Sequence, residues 1–279
     1  MRRIVVRGVG DVGSAVAHRL FAAGYAVAIH DDPQPTTSRR VNAFTDVVFD
    51  WYATLAGVTA LRVADPRGLA ELLDAHQAIP VFVGDLGGML AAISPAVLVD
   101  ARMRKRANPE PQRGLAALVI GLGPGFVAGH ERDANADIAI ETSWSDLGRI
   151  ITSGPTMPLE GEPRPLGGHS RDRFIYAPIA GIFRTECRIG DRVEAGQEVA
   201  RIVITGVGEG ATKTDATLDA TSLLAPLGGT LRGLTHDGVP VAVGTKVIEV
   251  DPRGGPVAGG IGERPGKITD GVLAALVRT

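Results

Sequence analysis

Residues 3–32 read RIVVRGVGDVGSAVAHRLFAAGYAVAIHDD, and the rest of the chain is read outward from them. Arg3–Arg7 is a short apolar run rich in β-branched side chains, which predicts a strand. Gly8-Val9-Gly10-Asp11-Val12-Gly13 is a G-x-G-x-x-G turn. Val12, Val16, Leu20 and Ala23 then fall on one helical face, and Gly24 closes the helix. Ala26–Ile29 predicts a second strand ending at Asp31 and Asp32. Gly8 permits a tight turn, Gly10 lets a pyrophosphate approach the backbone, and Gly13 lets helix pack on strand. The helix N-terminus offers free N–H groups and a positive dipole end to phosphate. Asp31, at the end of the second strand, can hold ribose hydroxyls. Asp11 has two readings: a cap for the helix, or a negative charge beside any bound phosphate.

The alternation continues downstream. Leu61–Val63, Val81–Val83, Val97–Val99, Leu118–Ile120 and Ile138–Ile140 predict strands, and Pro66–His76 and Leu86–Ile93 predict helices. The expectation is an α/β fold with a Rossmann-like, mostly parallel sheet over residues 1–152. Ligands bind outside the C-terminal strand ends of such sheets. The glycine turn falls there, as do Asp100 and the loop Gly121-Leu-Gly123-Pro-Gly125-Phe126, whose glycines let N–H groups converge on an anion. Arg39 and Arg40, a few residues past Asp31, are candidates for a ribose phosphate because guanidinium groups match phosphate geometry. Lys105, Arg106 and Arg113 form a charged lid or a solvated loop.

Composition bounds the function. The 279 residues are enough for two domains, and a net charge of −2 with 4% aromatics argues against a nucleic-acid partner. Cys187 is the lone cysteine, which excludes an internal disulfide and a cysteine-cluster metal site and suits a reducing cytoplasm. Arg7 interrupts the first apolar run, so no signal peptide is expected, and the uncharged run 114–129 is too broken by Gly and Pro to span a membrane. No H-x-x-x-H, H-E-x-x-H or G-x-S-x-G spacing occurs, so no metal site is expected and no catalytic residue is assigned. His130 is the best acid–base candidate; His18, His30 and His76 read as structural.

Gly and Pro crowd residues 153–172, which read as a linker. Beyond it the chain repeats itself at a constant offset, 177 to 225. Ala177, Pro178, Gly181, Arg184, Gly190, Val193, Gly196 and Val199 recur as Ala225, Pro226, Gly229, Arg232, Gly238, Val241, Gly244 and Val247. Two copies of A-P-x-x-G, strand, turn, V-x-x-G, strand predict a pseudo-twofold β unit over 173–251. The repeat resembles the biotinyl/lipoyl carrier domain, which implies a small all-β barrel-sandwich. The one lysine between the copies, Lys213, is flanked by threonines, so no covalent biotin or lipoate is expected. Residues 252–279 read as a return segment and a helix over Gly266–Val277. Its stripe of Ile268, Val272 and Leu276 is expected to pack on the Rossmann-like domain or between the domains.

The order of these parts resembles the accessory proteins linked to selenium-dependent molybdenum hydroxylases, grouped loosely with xanthine dehydrogenase maturation factors. The resemblance rests on Arg7–Asp11, Pro35-Thr36 with Arg39-Arg40, Val99–Ala101, Lys105-Arg106, Gly121–Phe126, Ile140–Thr142 and Leu147–Arg149. It continues through the A-P-x-x-G pair, Arg232–Leu234 and Asp251–Arg253. Where the family carries an Arg-Gly-His stretch, this chain has Ser143–Asp146. The resemblance implies a cytoplasmic maturation factor whose partner is a molybdenum hydroxylase or its cofactor-maturation machinery. Its cofactor would be NAD(P) or a molybdopterin-type dinucleotide, and a homo-oligomer stays open. Two alternatives remain: an NAD(P)-dependent oxidoreductase, motivated by the glycine turn and Asp31, and a non-catalytic adaptor that binds a partner protein.

Overall fold

The protein is described by a computed structural model covering residues 1–104, 108–158, 163–204 and 220–278. Lys105, Arg106 and Lys213 lie outside the described residues. The chain divides into two compact units. The first comprises Met1–Pro35, Val41–Glu160 and Gly259–Thr279, and the second Thr36–Arg40 and Gly161–Ala258.

The first unit is built on β1 (Arg3–Arg7), α1 (Asp11–Ala22) and β2 (Ala26–Asp31), with β1 and β2 parallel. It continues through α2 (Val47–Asp50), β3 (Tyr52–Leu55), β4 (Val58–Val63), α3 (Leu69–Ala75), β5 (Ile79–Val83), α4 (Leu86–Ile93) and β6 (Val97–Asp100). Then come β7 (Leu118–Leu122), β8 (Val127–Ala128), β9 (Ile138–Ile140), β10 (Ile150–Ile151) and β11 (Gly154–Pro155). Nine strands form one sheet in the order β10-β9-β7-β6-β1-β2-β5-β4-β3, and β8 pairs separately with β11. Side chains alternate across β1. Ile4 and Val6 join Val12, Val16 and Leu20 of α1 on one face, while Val5 joins Leu69, Leu73, Met89 and Ile93 of α3 and α4 on the other.

The expected pairing of a mostly parallel Rossmann-like sheet with a barrel-sandwich is corrected here. The large sheet is mixed, because both its edges are antiparallel hairpins that the sequence reading missed. Strand β3 turns into β4 through Ala56 and Gly57, at φ 45° and 84°. A two-residue turn of that kind can only return a strand antiparallel, whereas a parallel partner needs a long crossover. At the other edge β10 returns on β9 through a turn closed by Gly148 N–H donating to the Glu141 carbonyl at 2.9 Å.

The helix near the C-terminus, α5 (Glu263–Val277), belongs to this unit and packs on α1. It starts three residues earlier than expected, because Pro265 is tolerated in a first helical turn. Ile268, Val272, Ala275 and Leu276 are buried in the same cluster as α1. Among the described residues no helix is long and apolar enough to cross a membrane.

The second unit contains β12 (Phe174–Tyr176), β13 (Gly181–Arg184), β14 (Arg192–Val193), β15 (Glu198–Val203), β16 (Ala220–Leu224), β17 (Gly229–Leu234), β18 (Pro240–Val241) and β19 (Lys246–Asp251). They form two antiparallel four-stranded sheets, β12-β19-β17-β14 and β16-β15-β13-β18, in place of the expected biotinyl/lipoyl-like barrel. The repeat explains the pairing. Strands β13, β14 and β15 are the counterparts of β17, β18 and β19, yet β13 pairs with β18 and β17 with β14. Each copy lends its short strand to the other copy's sheet, so the copies make two sheets. The repeated glycine has one cause in both: a Cβ on Gly181 would lie 2.6 Å from the Val203 carbonyl oxygen, and one on Gly229 2.3 Å from that of Asp251.

Candidate functional site

The C-terminal edge of the large sheet carries the buried polar residues Arg7, His30 and Asp100. Register places Phe82, His30, Arg7, Asp100 and Gly121 in one transverse row across β5, β2, β1, β6 and β7. Row neighbours in parallel strands share a face.

The glycine turn is fixed from three sides. Gly8 has φ 112°, and a Cβ there would meet the Ala101 carbonyl oxygen at 2.8 Å; a Cβ on Gly13 would lie 2.0 Å from the Gly8 oxygen. The Val9 carbonyl accepts from the buried hydroxyls of Ser14 (2.8 Å) and Thr45 (3.0 Å), two residues the sequence reading did not single out. The Val9 N–H donates to Asp31 Oδ2 at 2.6 Å, and Asp31 Oδ1 accepts the Asp32 N–H at 2.8 Å. Burial pushes the Asp31 carboxyl up, against these two hydrogen bonds. Asp31 thus anchors the turn with one lone pair on each oxygen, and a carboxylate has about four such acceptor sites. Gly10 caps α1 in extended backbone, φ −68°, with no side-chain cap. Asp11 Oδ1 accepts from the Val12 N–H at 3.0 Å.

Asp100 is buried and fully engaged. Arg102 pairs with both its oxygens, Gln112 donates to Oδ2 at 2.5 Å, and Arg7 lies 4.0 Å away. Arg7 donates to Glu110 (2.9 Å) and to Gln112 (2.7 Å). Burial opposes the charge of Glu110, but bonds from its own backbone, Arg102 and Arg7 outweigh it and hold the carboxyl at about 2. Arg7 Nε is buried with no partner among the described residues. The same holds for His30 Nδ1, whose ring presents Nε2 to the Gly84 carbonyl at 2.9 Å. Burial pushes the His30 imidazole down, so it is neutral near pH 7.

In the GLGPGF loop, Gly121 makes room for Phe126, whose ring atoms would lie 2.1 Å from an added Cβ. Gly123 and Gly125 have φ near 89° and 88°. Thr156 donates to the Gly123 and Phe126 carbonyls, and Asn135 to that of Gly125. A Cβ on Gly123 would meet Thr142 Oγ1 at 2.7 Å. Gly123→Val is therefore expected to destabilise by about 2–4 kcal/mol through the forced φ and the clash; an unchanged thermal midpoint would show that the loop tolerates side chains.

Two further groups were missed by the sequence reading. Glu141, buried at the end of β9, accepts backbone N–H bonds from Thr142 (2.6 Å), Ser143 (2.8 Å) and Met157 (2.7 Å). Arg264, from the first turn of α5, donates to the Thr142 carbonyl at 3.0 Å. Burial lowers its pKa, and the charges of Asp11 and Glu141 oppose that. Only its place next to a proline in an unrecognised helix start hid it. His130 is exposed and sits 3.2 Å from an Arg113 nitrogen. Arg39 and Arg40 belong to the second unit, where Arg40 donates to the Leu234 carbonyl at 2.9 Å. Among the described residues no group of three or more His, Cys, Asp or Glu is placed to hold a metal ion.

No family model matches the sequence. Among curated proteins, the uncharacterized protein YqeB of Escherichia coli (strain K12) is 37% identical over 278 residues, a match covering 98% of this chain and 47% of YqeB. The chain thus spans about half the length of that relative. Solved structures found similar include the product-bound ectoine utilization protein EutE (DoeB) from Ruegeria pomeroyi, at TM-score 0.30 and 12% identity over 89% of this chain and 85% of that one. An aspartoacylase family protein from Mesorhizobium loti gives 0.26 and 12% over 92% and 86%. A succinylglutamate desuccinylase from Silicibacter sp. TM1040 gives 0.29 and 11% over 89% and 84%. Scores this low give no basis for transferring a fold or an activity.

These findings correct the family expectation. The proteins found similar are described as desuccinylase or aspartoacylase family members, an ectoine utilization protein and an uncharacterized protein, and not as molybdenum hydroxylase accessory factors. The maturation role and the molybdenum hydroxylase partner are withdrawn with it, as are the oxidoreductase and adaptor alternatives. The motifs that carried the resemblance have architectural causes here. Asp100 clamps Arg102 and Gln112, Gly148 receives α5 at its backbone, and Asp251 binds Arg253.

Proposed function

We propose that the first unit binds a nucleotide-type ligand at the C-terminal edge of its sheet. The phosphates lie over Val9–Gly13 and ribose hydroxyls reach the free lone pairs of Asp31. The observation that carries this reading is the uncapped N-terminus of α1 behind Gly10, with Asp31 fixed 2.6 Å from the neighbouring Val9 nitrogen. An anion there gains from the helix dipole and from oriented N–H groups. Arg264 supports it by offsetting the negative charge of Asp11. A dinucleotide such as NAD(P) is the expected class, and no reaction is assigned. The lone Cys187 suits a cytoplasmic setting.

Gly10 has a backbone conformation open to any residue, so Gly10→Val should fold while blocking phosphate approach. Calorimetric titration with NAD+, NADP+ and ADP-ribose should show binding that the variant weakens at least about tenfold, the loss of a charge-assisted hydrogen bond. No heat from any of the three, or equal affinity in the folded variant, would refute the site.

A further inference from the structure

The second unit holds a concentration of positive charge that nucleotide binding by the first unit does not use. Its centre is Glu249, which is 3% exposed. Arg173 Nη1 donates to Glu249 Oε1 at 2.6 Å, and Arg232 Nη1 lies 3.5 Å from the same oxygen. Lys246 Nζ donates to Oε2 at 3.0 Å. Arg39 adds a fourth positive charge, acting on both Glu249 and Arg232.

The local fold explains why these groups meet. Strand β17 pairs with β19, and a register shift between Leu231 and Gly233 leaves Arg232 as the extra residue of a bulge. Bulges re-aim side chains. A second shift, between Ile175 and Tyr176, leaves Val247 of β19 as an extra residue beside β12. Arg173 stands over the Phe174 ring at 4.3 Å and Lys246 at 4.4 Å, so one aromatic face steadies two cations. The segment 36–40 is tied to β17 by Leu234 N–H donating to the Ser38 carbonyl at 2.7 Å, which brings Arg39 to the cluster.

Among the described residues, Glu249 is the one carboxylate in an ion pair with Arg173, Arg232 and Lys246. Asp251, which also acts on Arg232, is bound through both oxygens by Arg253. Arg173 is 5% exposed, and its Nε has no hydrogen-bond partner among the described residues. Like charges packed at a half-buried place repel one another, and burial together with Arg39 lowers the pKa of Arg232. A dianion would relieve that repulsion, and forked guanidinium donors match its oxygens.

We propose that Arg173, Arg232 and Lys246, arranged around Glu249 with the charge of Arg39 beside them, form a phosphate-binding site in the second unit. Glu249 and the Phe174 ring hold the cations in place, and the phosphoryl oxygens take the donors that the carboxylate leaves over. The recognised chemistry is a phosphate monoester or inorganic phosphate.

The test is done on the full chain carrying Gly10→Val, so that phosphate binding at the glycine turn is weakened beforehand. Inorganic phosphate is titrated, followed by calorimetry and by the thermal midpoint, into this background and into it with Arg232→Gln, Arg39→Gln or Arg201→Gln. Saturable binding is expected, weakened ten- to a hundredfold by Arg232→Gln and Arg39→Gln, about one lost charge-assisted hydrogen bond each, and unchanged by Arg201→Gln. A parallel titration with AMP separates the sources. Tighter binding than phosphate marks a nucleotide, equal binding marks the phosphoryl group alone, and both outcomes support the site. No saturable binding, or equal loss in Arg201→Gln, overturns it. So does an unaltered affinity in a folded Arg232→Gln protein. Failure of nucleotide binding in the unsubstituted protein bears only on the glycine turn.

Discussion

Gly271→Val should lower the melting temperature of this protein by roughly 6–16 °C, the shift that about 3–4 kcal/mol produces in a unit of this size. A Cβ built on Gly271 lies 2.3 Å from the Gly148 carbonyl oxygen and 2.9 Å from Gly148 Cα. The approach is reciprocal, since a Cβ on Gly148 would lie 2.4 Å from the Lys267 oxygen. Two backbones meet there, so no side chain can rotate away. Helix α5 must lift, and Ile268, Val272 and Leu276 leave the core they share with α1. Full exposure of each would cost about 1.5–3 kcal/mol, so a partial lift of three reaches the stated loss. Gly271→Ala should show a smaller shift in the same direction. A melting temperature within 2 °C of the parent, roughly the resolution of such scans, would mean that α5 docks differently.

The second large effect is acid loss of stability in the second unit. Burial works against the charge of Glu249, but Lys246, Arg39 and Arg173 outweigh it and bring its pKa from 4.5 to about 2. A carboxyl lowered in the folded state contributes stability that is present above its unfolded value and lost as pH falls through the folded one. The window therefore runs from about pH 4.5 down to about 2, with about 3 kcal/mol at stake for a shift of that size. Glu249→Gln should abolish most of this dependence and destabilise by about 3–5 kcal/mol at neutral pH, because it strands buried cations. Denaturant unfolding at pH 7, 4 and 2.5, followed by Phe and Tyr signals of β12 and by hydrogen exchange, reads both. An equally steep acid loss in the Gln variant would assign the dependence to other carboxylates.

The β-α-β opening was legible because its signals are local. A β-branched run, a glycine turn, a helical stripe and an acid all lie within about 30 residues, where propensity and periodicity act directly. The repeat was legible because identity at a fixed offset needs no physics beyond counting, yet its product was not. Which copy's strand pairs with which is a long-range choice, and the swap of β14 and β18 leaves no mark on either strand alone. The antiparallel edges were hidden for another reason: Tyr52–Leu55 is only four residues long, and its turn uses Ala56 where a hairpin signal would place Asn, Asp or Gly. In the candidate site, Asp31 and the glycines were named from the sequence, while Ser14, Thr45, Glu141 and Arg264 were not. Ser14 accepts from the Phe44 N–H, Thr45 donates to Val9, Glu141 accepts from Met157 and Arg264 donates to Thr142, and such bonds between separate segments follow only from the finished fold.

The interleaving of the two units has a consequence for synthesis. The first unit is left after residue 160 and completed only from residue 259 onward, when α5 arrives. Ninety-eight residues, 161 to 258, must be translated in the interval. At about 5–20 residues per second that is roughly 5–20 s on the ribosome. Throughout it the surface of α1 that receives Ile268, Val272 and Leu276 has no cover. The nascent chain thus carries an open apolar seam for far longer than a helix takes to form, and a chaperone or a crowded neighbour has that time to find it.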